Sequence, residues 1–244
     1  MSDKTSGVII KQSRFGEGHR MLWIFTEKFG IVKAVVHGAD KTKSKTGGST
    51  QFLSYCDFEF FDNGDVWNIK SVSSNDTFWP IQEDLTKLSL CTYFADLLYN
   101  VLELHNPDKN ILRLFLNTLY ACAYKKTPQI VLKLIFETKL MFMSGMLPSP
   151  AGCIECGSDD NIFYFDKLSG GVLCGDCGGK INHIKIDENT YKVYYLIVYC
   201  DMKKMFSYQL PEDSVLKLSS IIENYVLSVT DKKIKSLDYY KNLL

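Results

Sequence analysis

No charge of either sign prevails along this 244-residue chain: 28 lysines and arginines face 28 aspartates and glutamates, and the formal net charge is zero. That balance excludes a molecule-wide basic field, so any surface for a polyanion has to be local. No apolar run approaches the roughly 20 residues that a membrane-crossing helix needs. Residues 1–7 are polar, with no apolar segment ahead of a cleavage site, so a cytoplasmic protein without membrane attachment is expected. Histidine is scarce: His19, His37, His105 and His183 are scattered and stand at no ligand spacing to carboxylates. There is no Walker loop and no recognisable nucleophile–base motif, and a non-enzymatic protein is expected.

Cysteine is the exception to this sparseness. Cys153 and Cys156 form one C-x-x-C pair, Cys174 and Cys177 a second, with seventeen residues between them. This is the spacing of a tetrahedral four-cysteine zinc site, in which each pair folds into a knuckle aiming two thiolates at one point. Gly157, Gly170, Gly171, Gly175, Gly178 and Gly179 lie in or beside the knuckles, where tight turns and close backbone approach are needed. Four thiolates fill the zinc shell and leave no place for a reactive water, so the expected Zn2+ is structural. Paired disulfides or a thioredoxin-like redox motif use the same dipeptide spacing and stay open at this point. The other cysteines, Cys56, Cys91, Cys122 and Cys200, stand alone in apolar or aromatic settings and read as ordinary buried thiols.

The length exceeds one typical domain. From residue 7 to 73 the pattern is that of strands: 8–11, 21–26, 31–37, 52–61 and 66–72 are rich in β-branched and aromatic residues, most of them parted by glycine-bearing turns. In the fourth, Phe52, Ser54, Cys56, Phe58 and Phe60 alternate with Leu53, Tyr55, Asp57, Glu59 and Phe61, and Asp62-Asn63-Gly64-Asp65 is a hairpin signal. Five antiparallel strands over so short a stretch suit a small closed barrel such as the OB-fold, with an SH3-like barrel open on periodicity alone. Between strands three and four, residues 38–49 carry Lys41, Lys43 and Lys45 with one acid and no apolar anchor. This is either a solvated loop or a phosphate-contacting arm, with Lys33, Arg14 and Arg20 as neighbours. Phe15, Phe29 and Tyr55 are the candidates for stacking on bases if they face outward.

After Trp79-Pro80 the period changes to three and four. Helices are predicted around Leu85–Leu98, Ile111–Leu119 and Ile130–Met141, then over 188–200 and 212–228, with Pro107, Pro128 and Pro211 at element starts. Lys133 and Lys139 interrupt the third of these, either as solvated residues or as the flank of a groove for an acidic peptide. The expected organisation is α+β and multidomain: a five-stranded OB-fold barrel over 1–80, then an α-helical domain over 81–148 and 182–244, with a four-cysteine zinc finger inserted at 149–181.

Read in order, Gly7-Val8-Ile9-Ile10, Arg14-Phe15-Gly16-Glu17, Thr26-Glu27-Lys28-Phe29-Gly30, the Gly38-Ala39 basic loop, Phe136-Glu137-Thr138-Lys139-Leu140 and the two cysteine pairs, the second preceded by Gly170-Gly171-Val172-Leu173, resemble the RecO family of bacterial recombination mediators over nearly the whole chain. The resemblance implies a DNA-repair protein that binds single- and double-stranded DNA, anneals complementary strands and, with RecR and sometimes RecF, helps load RecA onto DNA coated by single-stranded DNA-binding protein. It further implies Cys153, Cys156, Cys174 and Cys177 as zinc ligands. It puts Lys33, Lys41, Lys43, Lys45, Arg14 and Arg20 on the DNA face, and Lys133 at the acidic tail of single-stranded DNA-binding protein. A cytoplasmic, nucleoid-associated location follows. The alternative is a zinc-ribbon scaffold that binds only proteins.

Overall fold

The computed structural model describes residues 3–37, 50–61, 64–230 and 234–244. The chain divides into two compact units, one of residues 1–124 with 234–244 and one of residues 125–233.

The first unit begins with β1 (Asp3–Phe15), β2 (His19–Thr26), β3 (Gly30–Val36), β4 (Tyr55–Phe61) and β5 (Trp67–Asp76), closed into a barrel in the order β1-β2-β3-β5-β4. Alternation sets its interior: Ile9, Leu22, Ile24, Val32, Ala34, Val36, Cys56, Phe58, Phe60, Trp67 and Ile69 form one buried cluster. The arrangement is that of the OB-fold, and it differs from five antiparallel strands at one seam. β3 and β5 run parallel, pairing Ala34 with Trp67 and Val35 with Asn68, a closure that β4 makes possible by passing between β1 and β5. The fourth strand also starts at Tyr55 and not at Phe52, because Leu53 takes a left-handed φ of 68° and interrupts the pleat. Its backbone N–H still donates to the Ile9 carbonyl at 2.9 Å.

Residues that alternate to the outside of β1–β3 are also buried, among them Val8, Ile10, Phe25, Ile31 and Val35. Helix α2 (Leu85–Val101), which follows the one-turn α1 (Trp79–Gln82), packs against β1 and supplies cover. The Asp84 carboxylate caps α2 by accepting from the Thr86 and Lys87 amides. Helix α3 (Lys109–Tyr124) is capped in the same way by Asp108.

The second unit holds α4 (Gln129–Met143), a three-stranded sheet of β6 (Ile162–Asp166), β7 (Val172–Cys174) and β8 (His183–Lys185), then α5 (Glu188–Tyr199) and α6 (Glu212–Val229). Helices α4, α5 and α6 pack mutually. The chain then closes on α7 (Lys235–Lys241), a helix beyond the five expected from the sequence, which belongs to the first unit, buries Leu237 and Tyr240 and packs on α2 of that unit.

The Thr26–Gly30 turn joins β2 to β3 by a bond from the Thr26 hydroxyl to the Gly30 carbonyl at 2.8 Å. Gly30 has φ +65°, and a Cβ there would stand 2.6 Å from the Asn106 backbone. Gly18 has φ +74° with open space around it. Gly30→Ala is expected to lower stability by roughly 2–4 kcal/mol, strain and clash together, and Gly18→Ala by only about 1 kcal/mol; urea unfolding of both variants checks the contrast.

Candidate metal centre and nucleic-acid interface

The four Sγ atoms of Cys153, Cys156, Cys174 and Cys177 all lie within 4.8 Å of one another, and those of Cys156 and Cys174 are 3.8 Å apart. A tetrahedral zinc with sulfurs at about 2.3 Å requires sulfurs separated by about 3.8 Å. The donor set therefore fits zinc, and all four positions are filled by thiols.

Backbone bonds build the convergence. In the first knuckle the Gly157 amide donates to the Cys153 carbonyl at 2.8 Å, and in the second the Gly178 amide donates to Cys174 at 2.9 Å. The Ile154 amide reaches the Val172 carbonyl at 3.0 Å and ties the first knuckle to β7, which carries Cys174. Gly171 and Gly178 are closed to any side chain, since a Cβ would meet Ile154 at 2.2 Å and Tyr164 at 2.0 Å. Without metal the thiols do not ionise alike. Burial raises the Cys153 thiol, but amides of Cys174, Cys156 and Glu155 outweigh it and bring it down to about 6. Cys177 is pushed up to about 12 by the Cys174 and Cys156 thiols beside it. Repulsion among thiolates thus resists the fully ionised cluster, which a dication relieves.

Tyrosines fasten this module to its helices, a role that no spacing in the sequence signals. Tyr191 on α5 donates to the Pro150 carbonyl at 2.9 Å and Tyr194 to Pro148 at 3.3 Å. The Tyr225 hydroxyl on α6 reaches the carbonyls of both Met146 and Ser169. Gly170 makes room for that ring: a Cβ would come within 2.4 Å of it.

Of the residues expected at a DNA face, Arg14 and Arg20 are cross-strand partners on β1 and β2, and Lys33 pairs in register with Trp23 on β3. Alternation puts Lys33 on the outside of the barrel and both arginines on the opposite face of the β1–β2 hairpin. Lys41, Lys43 and Lys45 lie outside the described residues. Phe15 is 47 % exposed at the end of β1, whereas Phe29 packs edge-on against Trp67 and Tyr55 is half-buried.

Lys133 is not on the surface. It is 4 % exposed, with its Nζ 2.9 Å from carboxylate oxygens of both Glu137 on α4 and Glu223 on α6. Burial works against its charge, but the two carboxylates outweigh that and hold the ammonium protonated more firmly than usual. The acidic groups it meets belong to its own chain. Lys139, also buried, donates to the Val198 and Cys200 carbonyls and closes the C-terminal end of α5.

Residues 1–78 match the family described as Recombination protein O N terminal, and residues 82–238 match Recombination protein O C terminal. The chain belongs to the RecO family. It is 31% identical to the DNA repair protein RecO of Acetivibrio thermocellus over 242 residues, covering 98% of this chain and 96% of the relative. To that of Alkaliphilus metalliredigens it is 28% identical over 243 residues, 98% and 99% of the two chains. To that of Caldicellulosiruptor saccharolyticus it is 26% identical over 239 residues, 98% and 97%. The family places the chain in DNA repair and recombination.

Two outcomes are expected from this geometry. Since zinc takes thiolates and frees their protons, affinity should fall as pH drops through the neutral range, where Cys156 and Cys177 must lose protons on binding, and more steeply below about 6, where Cys153 must do so too. Release into a colorimetric chelator across a pH series measures it, and chelation or Cys153→Ser should loosen the knuckles. Lys133→Met removes the cation between Glu137 and Glu223 and should cost about 3–5 kcal/mol in denaturant unfolding.

Proposed function

We propose that the chain is a recombination mediator that binds single- and double-stranded DNA, anneals complementary strands and assists RecA loading together with RecR. The observation that carries this reading is an OB-like barrel with Lys33 and Phe15 on outward or exposed positions, in a chain whose relatives are DNA repair proteins. Lys33 on the barrel and Lys41, Lys43 and Lys45 together neutralise phosphates, which lowers the repulsion between two strands and favours pairing. Exposed rings add sequence-tolerant stacking, about 1–3 kcal/mol per base. The centre of four cysteines holds structural zinc, and no covalent step is assigned to any residue. Among the described residues no helix is long and apolar enough to cross a membrane. The work is done in the cytoplasm, at the nucleoid.

For the acidic tail of single-stranded DNA-binding protein, Lys133 is a poor receptor because its charge is already matched. A cleft of about 450 Å³ in the same unit offers Lys125 and Lys126 beside Val131, Phe206 and Tyr208. Exposed lysines over an apolar floor suit a peptide that is both acidic and hydrophobic.

The test is fluorescence-detected annealing of complementary strands across a salt series. With Lys33, Lys41, Lys43 and Lys45 on the phosphates, log affinity for single strands should fall with a slope of roughly −3 against log salt. The triple variant K41E/K43E/K45E should abolish annealing. Absence of annealing at low salt would leave a zinc-bearing scaffold for proteins as the better account.

A further inference from the structure

Two histidines that lie eighteen positions apart in sequence meet at the rim of the barrel. Their ring centroids are 4.8 Å apart, at an interplanar angle of 79°. Strand geometry explains the meeting. Arg20 pairs with Val36, so His19 and His37, one step further out, fall side by side. Leu22, Ile24, Val32, Ala34 and Val36 point into the core, which turns His19, Met21 and Trp23 of β2 outward, together with Lys33, Val35 and His37. Phe15 is the register partner of His19 and shares that face. His37 is exposed, and its Nε2 lies 3.0 Å from the Asn68 Oδ1 on β5, which fixes the ring.

The surroundings decide what such a pair does. On the strands packed around it the basic groups are Lys4, Lys11, Arg14, Arg20, Lys33 and Lys70. The acidic ones are Asp3, Glu17 in the β1–β2 turn, Asp65 ahead of β5 and Asp76 at its end, and neither β2 nor β3 carries a carboxylate. An anion laid across the two adjacent imidazoles favours their charged form, because an opposite charge within about 4–6 Å favours the protonated ring.

We propose that His19 and His37 form a proton-linked phosphate contact on the outer face of the barrel, with Phe15 beside them to stack on an unpaired base. The proposal rests on the reading that this face takes DNA, and it adds residues and a pH dependence to it. The sign follows from linkage: binding raises the proton affinity of the pair, so protons are taken up, and the gain is present at low pH and lost as pH rises through the values of the bound rings. Imidazole is the side chain whose ordinary titration falls between pH 5 and 8, so the effect sits in the working range of the protein.

The experiment uses the full zinc-loaded chain and a fluorescent thymidine oligonucleotide, at constant ionic strength and at about pH 6 and pH 7.5. Zinc retention is verified at both. Wild type should bind roughly threefold or more tightly at the lower pH, and calorimetry in two buffers of different ionisation enthalpy should show proton uptake. The variant H19Q/H37Q, which keeps side chains able to hydrogen-bond, should still bind but lose both the pH dependence and the uptake. Binding by wild type that is indifferent to pH, or a variant with the wild-type pH dependence, overturns the proposal and leaves DNA binding standing. No binding at either pH overturns the DNA reading and the proposal with it.

Discussion

The second unit turns on four sulfurs. Between Cys153 and Cys177 the chain makes one short hairpin, and the buried apolar residues it contributes, Ile162, Phe165, Val172 and Leu173, are too few for a core of their own. Bound there as proposed, a structural zinc contributes on the order of 10–16 kcal/mol by the scale of peptide hosts, enough to order such a module outright. The order then propagates through contacts. Phe165 meets Tyr194 and Tyr225 edge-on with centroids 6.1 Å away, and the hydroxyls of those two tyrosines hold the carbonyls of Met146, Pro148 and Ser169 at the entrance and in the middle of the module. Tyr225 sits on α6 close to Glu223, which together with Glu137 clamps Lys133 of α4. Metal knuckle, tyrosine belt and buried charge triad form one continuous scaffold.

A buried ion triad of this kind is a doubtful source of net stability, since desolvating three charges costs about as much as their attraction returns. Its stronger consequence is positional. α4 is buried on nearly every side, with Leu132 to Met141 buried without interruption, and its apolar contacts alone would let it slide or rotate against its neighbours with little penalty. A lysine that must reach carboxylates on two helices fixes one register of α4 against α6. Lys139 fixes the same helix against the end of α5.

The strands were legible where one face was wet. Asp57, Glu59 and Phe61 against Cys56, Phe58 and Phe60 gave both the strand and its orientation, and the cysteine spacing gave the four-thiol cluster. What was hidden was non-local. The parallel seam between β3 and β5 depends on where the chain returns after β4, which no window of sequence contains. Lys133 read as a surface cation because burial of a lysine depends on partners four and ninety positions away. Leu53 looked like one more strand residue because nothing in leucine announces a positive φ. The tyrosine hydroxyls bond to backbone carbonyls, which every residue possesses, so their targets leave no signature.

The neutral total charge acquires a structural reading in this light. Charges are not blended evenly but sorted: carboxylates that pair internally, Glu137 and Glu223, are spent inside the second unit, and Glu59 is held by Lys70 on the barrel wall. β2 and β3 carry cations and rings without a single acid. A local field of that kind acts within a Debye length of about 8–10 Å. On the DNA-binding reading proposed above, it engages a phosphate already at the surface without drawing nucleic acid from a distance, and occupancy of DNA then depends on what else is bound there.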